Sequence, residues 1–88
     1  LVKKGNTTMT TSNTTVVGGQ RYSTYVTGVE NLNETSDMSV LYQVVGNGGS
    51  TVSPQLFDVD YDTTNSKFRF VVNSTTAFAT VYWTVVRY

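Results

Sequence analysis

The sequence predicts an all-β domain, an antiparallel β-sandwich of about six to seven strands with a small jelly-roll-like arrangement. Three observations support this prediction. Apolar residues recur with a period of two, which is the repeat of a strand with one buried face. β-Branched and aromatic residues dominate the apolar positions, and helix-forming runs are almost absent. Turn signals separate the alternating segments, the strongest being Gly46-Asn47-Gly48-Gly49.

The N-terminal part of the chain is the most polar. Residues 1–12 contain Lys3-Lys4 and a Thr/Asn cluster, and they are interpreted as an extended arm or linker before a single domain at residues 13–88. Strands are predicted at residues 14–17, 20–29 and 39–45. The strand at 39–45 has apolar residues on both faces, which is typical of a central strand.

The C-terminal third predicts a three-stranded meander. Residues 57–62 alternate aromatic or apolar side chains with aspartates, residues 67–72 resume the alternation, and residues 77–88 form a long last strand. With residues 63–66 as the first loop, Asp60 faces Arg69 and Phe57 faces Val72. With residues 73–76 as the second loop, Phe68 faces Val81. The predicted core comprises Tyr22, Val26, Val40, Tyr42, Val44, Phe57, Val59, Phe68, Phe70, Val72, Val81, Trp83 and Val85.

Composition excludes several classes of function. Six basic and six acidic side chains cancel, and no basic stripe exists, so a nucleic-acid partner is not expected. The absence of cysteine and histidine removes disulfides and the usual zinc and haem ligands, and no cofactor is predicted. No apolar run approaches the roughly 20 residues of a membrane-spanning helix. No catalytic signature is present, so the chain is not expected to be an enzyme.

The strongest candidate site is the second face of the last strand. Phe78, Tyr82, Val86 and Tyr88 lie on this face, opposite the predicted core positions. Exposed aromatic rows are typical of an interface or a ligand platform. Three interpretations remain open: the face packs on a second sheet of the same domain, packs on copies of the chain, or stacks on sugar rings.

Two clusters of carboxylates are weaker candidates. Asp58, Asp60 and Asp62 have the odd-position spacing of a calcium loop, but Thr63 and Arg69 stand where that loop needs glycine and glutamate. The same spacing is explained by an exposed row of aspartates that pairs with basic residues on the opposite strand of the hairpin. Glu30, Glu34 and Asp37 share one predicted loop and could pair for glycoside hydrolysis, although nothing else in the chain suggests that chemistry.

Residues 67–72, Lys-Phe-Arg-Phe-Val-Val, followed by residues 80–86, Thr-Val-Tyr-Trp-Thr-Val-Val, resemble the end of small β-sandwich modules that tip bacteriophage tail fibres and spikes. They are also similar to the closing strand of H-type lectin-like domains. The resemblance implies a trimeric module, on a virion surface or extracellular, that binds host-surface glycans. No binding residue of these families maps onto this chain.

These observations lead to one functional hypothesis and two alternatives. The leading hypothesis is a non-enzymatic structural and attachment module of a viral particle, which self-associates and presents loops to a host receptor. Its partners are copies of itself or other virion proteins. One alternative is a carbohydrate-binding module of a secreted protein. The other is a capsid-decorating or pilus-like subunit whose N-terminal arm adds a strand to a neighbour's sheet.

Overall fold

The computed structural model describes residues 3–29, 38–47 and 52–88, and these contain strands but no helix. Two antiparallel sheets pack face to face, which confirms the predicted β-sandwich. The first sheet has the order β1-β7-β4, and the second has the order β2-β3-β6-β5. The strands are β1 (Lys3–Thr8), β2 (Thr15–Val17), β3 (Gln20–Tyr22), β4 (Met38–Gly46), β5 (Leu56–Asp62), β6 (Lys67–Val72) and β7 (Ala79–Arg87).

The core lies between β6 of the second sheet and β7 of the first. The predicted inner side chains of these two strands are all buried, so these positions are confirmed. They are Phe68, Phe70 and Val72 on β6, and Val81, Trp83 and Val85 on β7. The rings of Phe68 and Trp83 meet edge to face with centroids 6.0 Å apart. This geometry is favourable for aromatic pairs and joins the two sheets at their centre.

The predicted C-terminal meander is wrong. The first hairpin has the predicted loop, and Asp60 faces Arg69 across it. However, β7 pairs with β1 and β4, not with β6. The chain crosses from one sheet to the other after Val72, so Phe68 and Val81 lie in different sheets and share the core between them instead of pairing along a hairpin. Both arrangements bury alternate residues, and therefore the alternation alone could not distinguish them.

Part of the predicted N-terminal arm is a strand. β1 pairs with β7 along its whole length, and Thr7 on its inner side is buried. The prediction failed here because β1 has no apolar alternation. Its inner face carries Gly5 and Thr7, which leave room for the large Trp83 side chain on the neighbouring strand.

The predicted strand at residues 20–29 follows β6 but is regular only over β3. Tyr22 pairs with Val71, and Val26 forms an isolated bridge with Phe68. The chain therefore gains one residue relative to β6 between these pairs. This path lies in the second sheet and is not a neighbour of β7. Because of this extra residue, Val26 enters the core whereas Tyr22 lies half-buried on the outer side of the second sheet.

Among the described residues, β4 has one neighbouring strand and lies at an edge of the first sheet, not at its centre. Its neighbour is β7, and Leu41 and Val45 on the side away from the core are exposed. Tyr42, predicted in the core, is 50% exposed because it lies at the border of the sandwich. Val40 and Val44 pack against the core from the same strand, as predicted.

Phe57 is also misplaced by the sequence argument. A bulge shifts the β5–β6 register so that Leu56, not Phe57, faces Val72. Phe57 is thereby turned outward and is 66% exposed. One extra residue in a strand reverses the face of the side chain at that point, and no feature of the alternation marks the bulge.

Candidate functional site

The outer face of the first sheet is the side of β1, β7 and β4 that points away from the second sheet. The strand register places its side chains in three cross-strand rows: Lys4–Thr84–Leu41, Asn6–Tyr82–Gln43 and Thr8–Thr80–Val45. Leu41, Tyr82 and Val45 are 57%, 50% and 42% exposed. This face therefore combines large uncovered apolar side chains with threonine hydroxyls, two amides and a single charge.

Hydrogen bonds between neighbouring side chains order the end of this face. The hydroxyls of Thr8 and Thr80 lie 3.2 Å apart on adjacent strands. Thr80 also donates to Oδ1 of Asn47, just beyond the end of β4, at 3.0 Å. These contacts hold three polar side chains in place and leave the aromatic ring of Tyr82 as the most prominent feature of the middle row.

A shallow open depression of about 530 Å³ lies beside Tyr82. Two amide side chains, Asn6 and Gln43, flank the tyrosine in the same row, and Leu41 and Lys4 lie in the next row. The depression thus offers a ring face, hydrogen-bond donors and acceptors, and one cation. These are the groups by which proteins hold either a sugar or a neighbouring polypeptide.

Three of the four predicted platform residues lie on this side of the molecule. Tyr82 and Val86 belong to the outer face of β7, and the Tyr88 hydroxyl lies 2.6 Å from the hydroxyl of Ser39 on β4. Phe78 does not belong to the platform. It precedes β7, and the guanidinium of Arg21 lies 4.4 Å from its ring centroid. The interpretation that the last strand packs a second sheet on this face is wrong, because the second sheet covers the opposite face.

The free edge of β4 is a further feature of this surface. All nine residues of β4 pair with β7 on one side. Among residues 3–29, 38–47 and 52–88, no strand pairs with its other side. An unpaired edge exposes backbone N–H and C=O groups that can bind another strand. This edge was not predicted from the sequence, because apolar residues on both faces of β4 are typical of a central strand.

Charged side chains on the outer face of the second sheet make contacts within the same chain. Asp60 and Arg69 form an ion pair at 2.8 Å. The guanidinium of Arg69 also lies over the rings of Tyr22 and Tyr25, 4.4 and 4.7 Å from their centroids, and Lys67 lies 4.0 Å from the centroid of Tyr25. These cations are therefore held by aromatic rings and a carboxylate of the same chain.

The calcium hypothesis finds no geometry to support it in the described part of the chain. Asp58, Asp60 and Asp62 occupy alternate positions of β5 and do not converge, and no group of three metal-binding side chains is found among the described residues. Asp62 accepts hydrogen bonds from the side chain and the backbone N–H of Asn65, and these lower the pKa of its carboxyl. The Asp62 carboxylate therefore stabilises the β5–β6 turn.

The second predicted carboxylate cluster lies elsewhere in the chain. Glu30, Glu34 and Asp37 lie outside the described residues. Arg87, at the end of β7, donates to the sulfur of Met38 at 3.6 Å. Burial, with a smaller effect of Asp58, raises the pKa of the Tyr61 hydroxyl.

Comparisons with family models, with characterised proteins and with solved structures find no match to this chain. In the portions of the chain that the structure describes, no helix has the length and apolar character needed to cross a membrane.

Proposed function

We propose that this chain is a non-enzymatic structural and attachment module of a viral particle, and that it assembles with copies of itself through the first sheet. The observation that carries the proposal is the outer face of that sheet. Leu41, Tyr82 and Val45 are each more than two-fifths exposed on one side of one sheet. Clustered apolar exposure of this kind marks a surface that binds another protein.

The size of the domain supports assembly. A chain of 88 residues buries a smaller fraction of its surface than a large domain, and small domains commonly depend on disulfides, metals or oligomerisation. A disulfide is excluded because the sequence has no cysteine. Association through the outer face would remove apolar surface from water and stabilise the fold by mass action.

Composition supports the viral assignment. The chain is rich in threonine, serine, asparagine and valine, and only 14% of its residues are charged. The absence of cysteine suits a protein that folds in a reducing cytosol and acts outside the cell. In this arrangement, the loops at the ends of the sandwich are available to a receptor, as loops on rigid sheets commonly are.

The native mass of the purified chain, measured by light scattering after size exclusion, tests the proposal. We expect an oligomer, and we expect Leu41→Ser and Val45→Ser, both on the outer face of β4, to lower its mass while the far-ultraviolet circular dichroism is unchanged. Phe57→Ser is the matched control, because Phe57 is 66% exposed but lies on the second sheet. A monomer at every concentration, or an oligomer that survives both substitutions on the first sheet, contradicts the proposal.

A second function, carbohydrate binding, is favoured by the depression beside Tyr82. The exposed tyrosine ring can stack on a sugar ring, and the amides of Asn6 and Gln43 can bond its hydroxyls. A glycan array followed by titration calorimetry tests this function. Tyr82→Ser should abolish binding without changing the mass, whereas Tyr82→Phe should retain stacking. An unmodified domain that binds no glycan on the array excludes it.

A further inference from the structure

Among the residues that the structure describes, four strands lie at sheet edges, and they differ in their protection against pairing with another strand. Natural sheets protect their edges with charged residues, bulges, proline or very short strands. β1 carries Lys3 and Lys4, β2 has only three residues, and β5 carries three aspartates and a bulge. β4 has none of these features. Its nine residues, Met-Ser-Val-Leu-Tyr-Gln-Val-Val-Gly, contain no charge and no proline, and its register with β7 is unbroken.

We propose that β4 pairs antiparallel with β4 of a second copy of the chain across a two-fold axis. Two three-stranded sheets then become one continuous six-stranded sheet with the order β1-β7-β4-β4-β7-β1. This inference rests on the proposed self-association. The contact between the two copies then consists of backbone hydrogen bonds between the two β4 edges, flanked by the exposed side chains of β4.

A two-fold interface must be self-complementary, because each residue meets its own equivalent or a partner that meets it in return. Pairing centred on Gln43 satisfies this requirement. Leu41 then faces Val45 on the outer face, and Tyr42 faces Val44 on the inner side. The three large apolar side chains of β4 that are exposed, Leu41, Tyr42 and Val45, all gain apolar partners. Opposed apolar pairs of this kind stabilise antiparallel strands.

Moving the centre of pairing by one residue is less favourable. Pairing centred on Tyr42 places Leu41 opposite Gln43 and Ser39 opposite Val45, so two apolar side chains face polar ones. β4 has no charged residue, and this also favours a second copy as the partner. A charged residue near the two-fold axis would face the same charge on the second copy and repel it. Pairing centred on Gln43 brings the two side-chain amides together at the axis, where each can donate to and accept from the other.

A charge exchange at Gln43 tests both the contact and its register. Gln43→Lys and Gln43→Glu each place like charges directly opposite one another across the axis. We expect each variant alone to dissociate, and an equimolar mixture of the two to regain the dimer mass by light scattering. Asn6→Lys and Asn6→Glu are matched controls. Asn6 lies in the same cross-strand row as Gln43 but on β1, at the far edge of the sheet.

Covalent trapping gives a second measurement. The chain has no cysteine, so Gln43→Cys introduces a single thiol. Directly opposed residues of antiparallel strands have Cα atoms about 4.5 to 5.5 Å apart, within the range that a disulfide spans. Oxidation should therefore link Gln43→Cys rapidly into a dimer and leave Asn6→Cys largely unlinked.

The outcomes separate this inference from the proposed function. A trimer, or an oligomer that tolerates both charges at Gln43 and does not form the disulfide, overturns the β4 contact and leaves self-association standing. A chain that is monomeric at every concentration overturns both. Dissociation by each charge alone with recovery in the mixture establishes the two-fold edge contact.

Discussion

The indole ring of Trp83 lies against the backbone of Gly5. The two residues face each other across the β1–β7 ladder, and a Cβ atom at position 5 would stand 2.8 Å from Cζ2 of the tryptophan. The same indole donates from Nε1 to the hydroxyl of Thr7 at 3.2 Å. These two contacts explain how a strand with almost no apolar residues is held in the first sheet.

Gly5→Ala is expected to lower the free energy of unfolding by about 1 to 3 kcal/mol, because the added methyl group overpacks a buried ring. Urea denaturation measures the loss. Asn6→Ala is the control on the same strand, and since Asn6 is exposed on the opposite face, we expect a change within about 0.5 kcal/mol. Equal effects of the two substitutions would show that the indole moves aside at little cost.

Thr7→Val is expected to cost about 1 to 3 kcal/mol, although it preserves the shape of the side chain. The valine removes the acceptor of the Trp83 Nε1–H, and a buried donor without a partner retains its desolvation penalty. Thr7→Ser keeps the hydroxyl and loses one methyl group, a cost of about 0.8 kcal/mol. A Thr7→Val protein as stable as the wild type in urea would mean that the hydrogen bond contributes nothing.

Arg69→Ala is expected to destabilise the protein more than Asp60→Asn. The Asp60 carboxylate is partly exposed and contributes about 1 kcal/mol or less through the ion pair. The arginine also covers Tyr22 and Tyr25, and each cation–aromatic contact adds about 0.5 to 1 kcal/mol. Chemical denaturation of both variants compares the two losses. A larger effect of Asp60→Asn would show that the ion pair outweighs the stacking.

Acidification is expected to weaken the β5–β6 turn. Hydrogen bonds from Asn65 lower the pKa of Asp62 in the folded state below its ordinary value of 3.8. Because the folded pKa is the lower one, this stabilisation is present above the unfolded pKa and is lost as the pH falls through the folded pKa. The melting temperature of Asp62→Asn should therefore decline less than that of the wild type below about pH 4.

Asn65→Ala is a second variant that tests the role of the Asp62 carboxylate in acid. Asn65→Ala removes both the side-chain donor to Asp62 and part of the reason for its depressed pKa. Its melting temperature should show the same weakened decline in acid. Parallel curves for the wild type and both variants, measured by circular dichroism, would contradict a role for the Asp62 carboxylate in the turn.

Much of the candidate surface could be predicted from the alternation of β7. Because successive side chains of a strand point to opposite faces, the burial of Trp83 requires Tyr82 to lie on the other face. The same argument failed for Phe78, which lies before the strand begins. The free edge of β4 could not be predicted, since its apolar residues suit a central strand and an interface strand equally well.

The sequence by itself determined the fold class and, for β6 and β7, which side chains enter the core. The period of the apolar residues contains that information, because burial of one face is a local property of each strand. Only the tertiary structure decided which strands are neighbours. β7 pairs with β1 and β4 in one sheet, while β6 pairs with β3 and β5 in the other. A hairpin and a crossover between sheets bury the same alternate residues, so the alternation does not specify which strands are neighbours. The neighbours are decided by contacts between residues distant in sequence, such as that between Gly5 and Trp83.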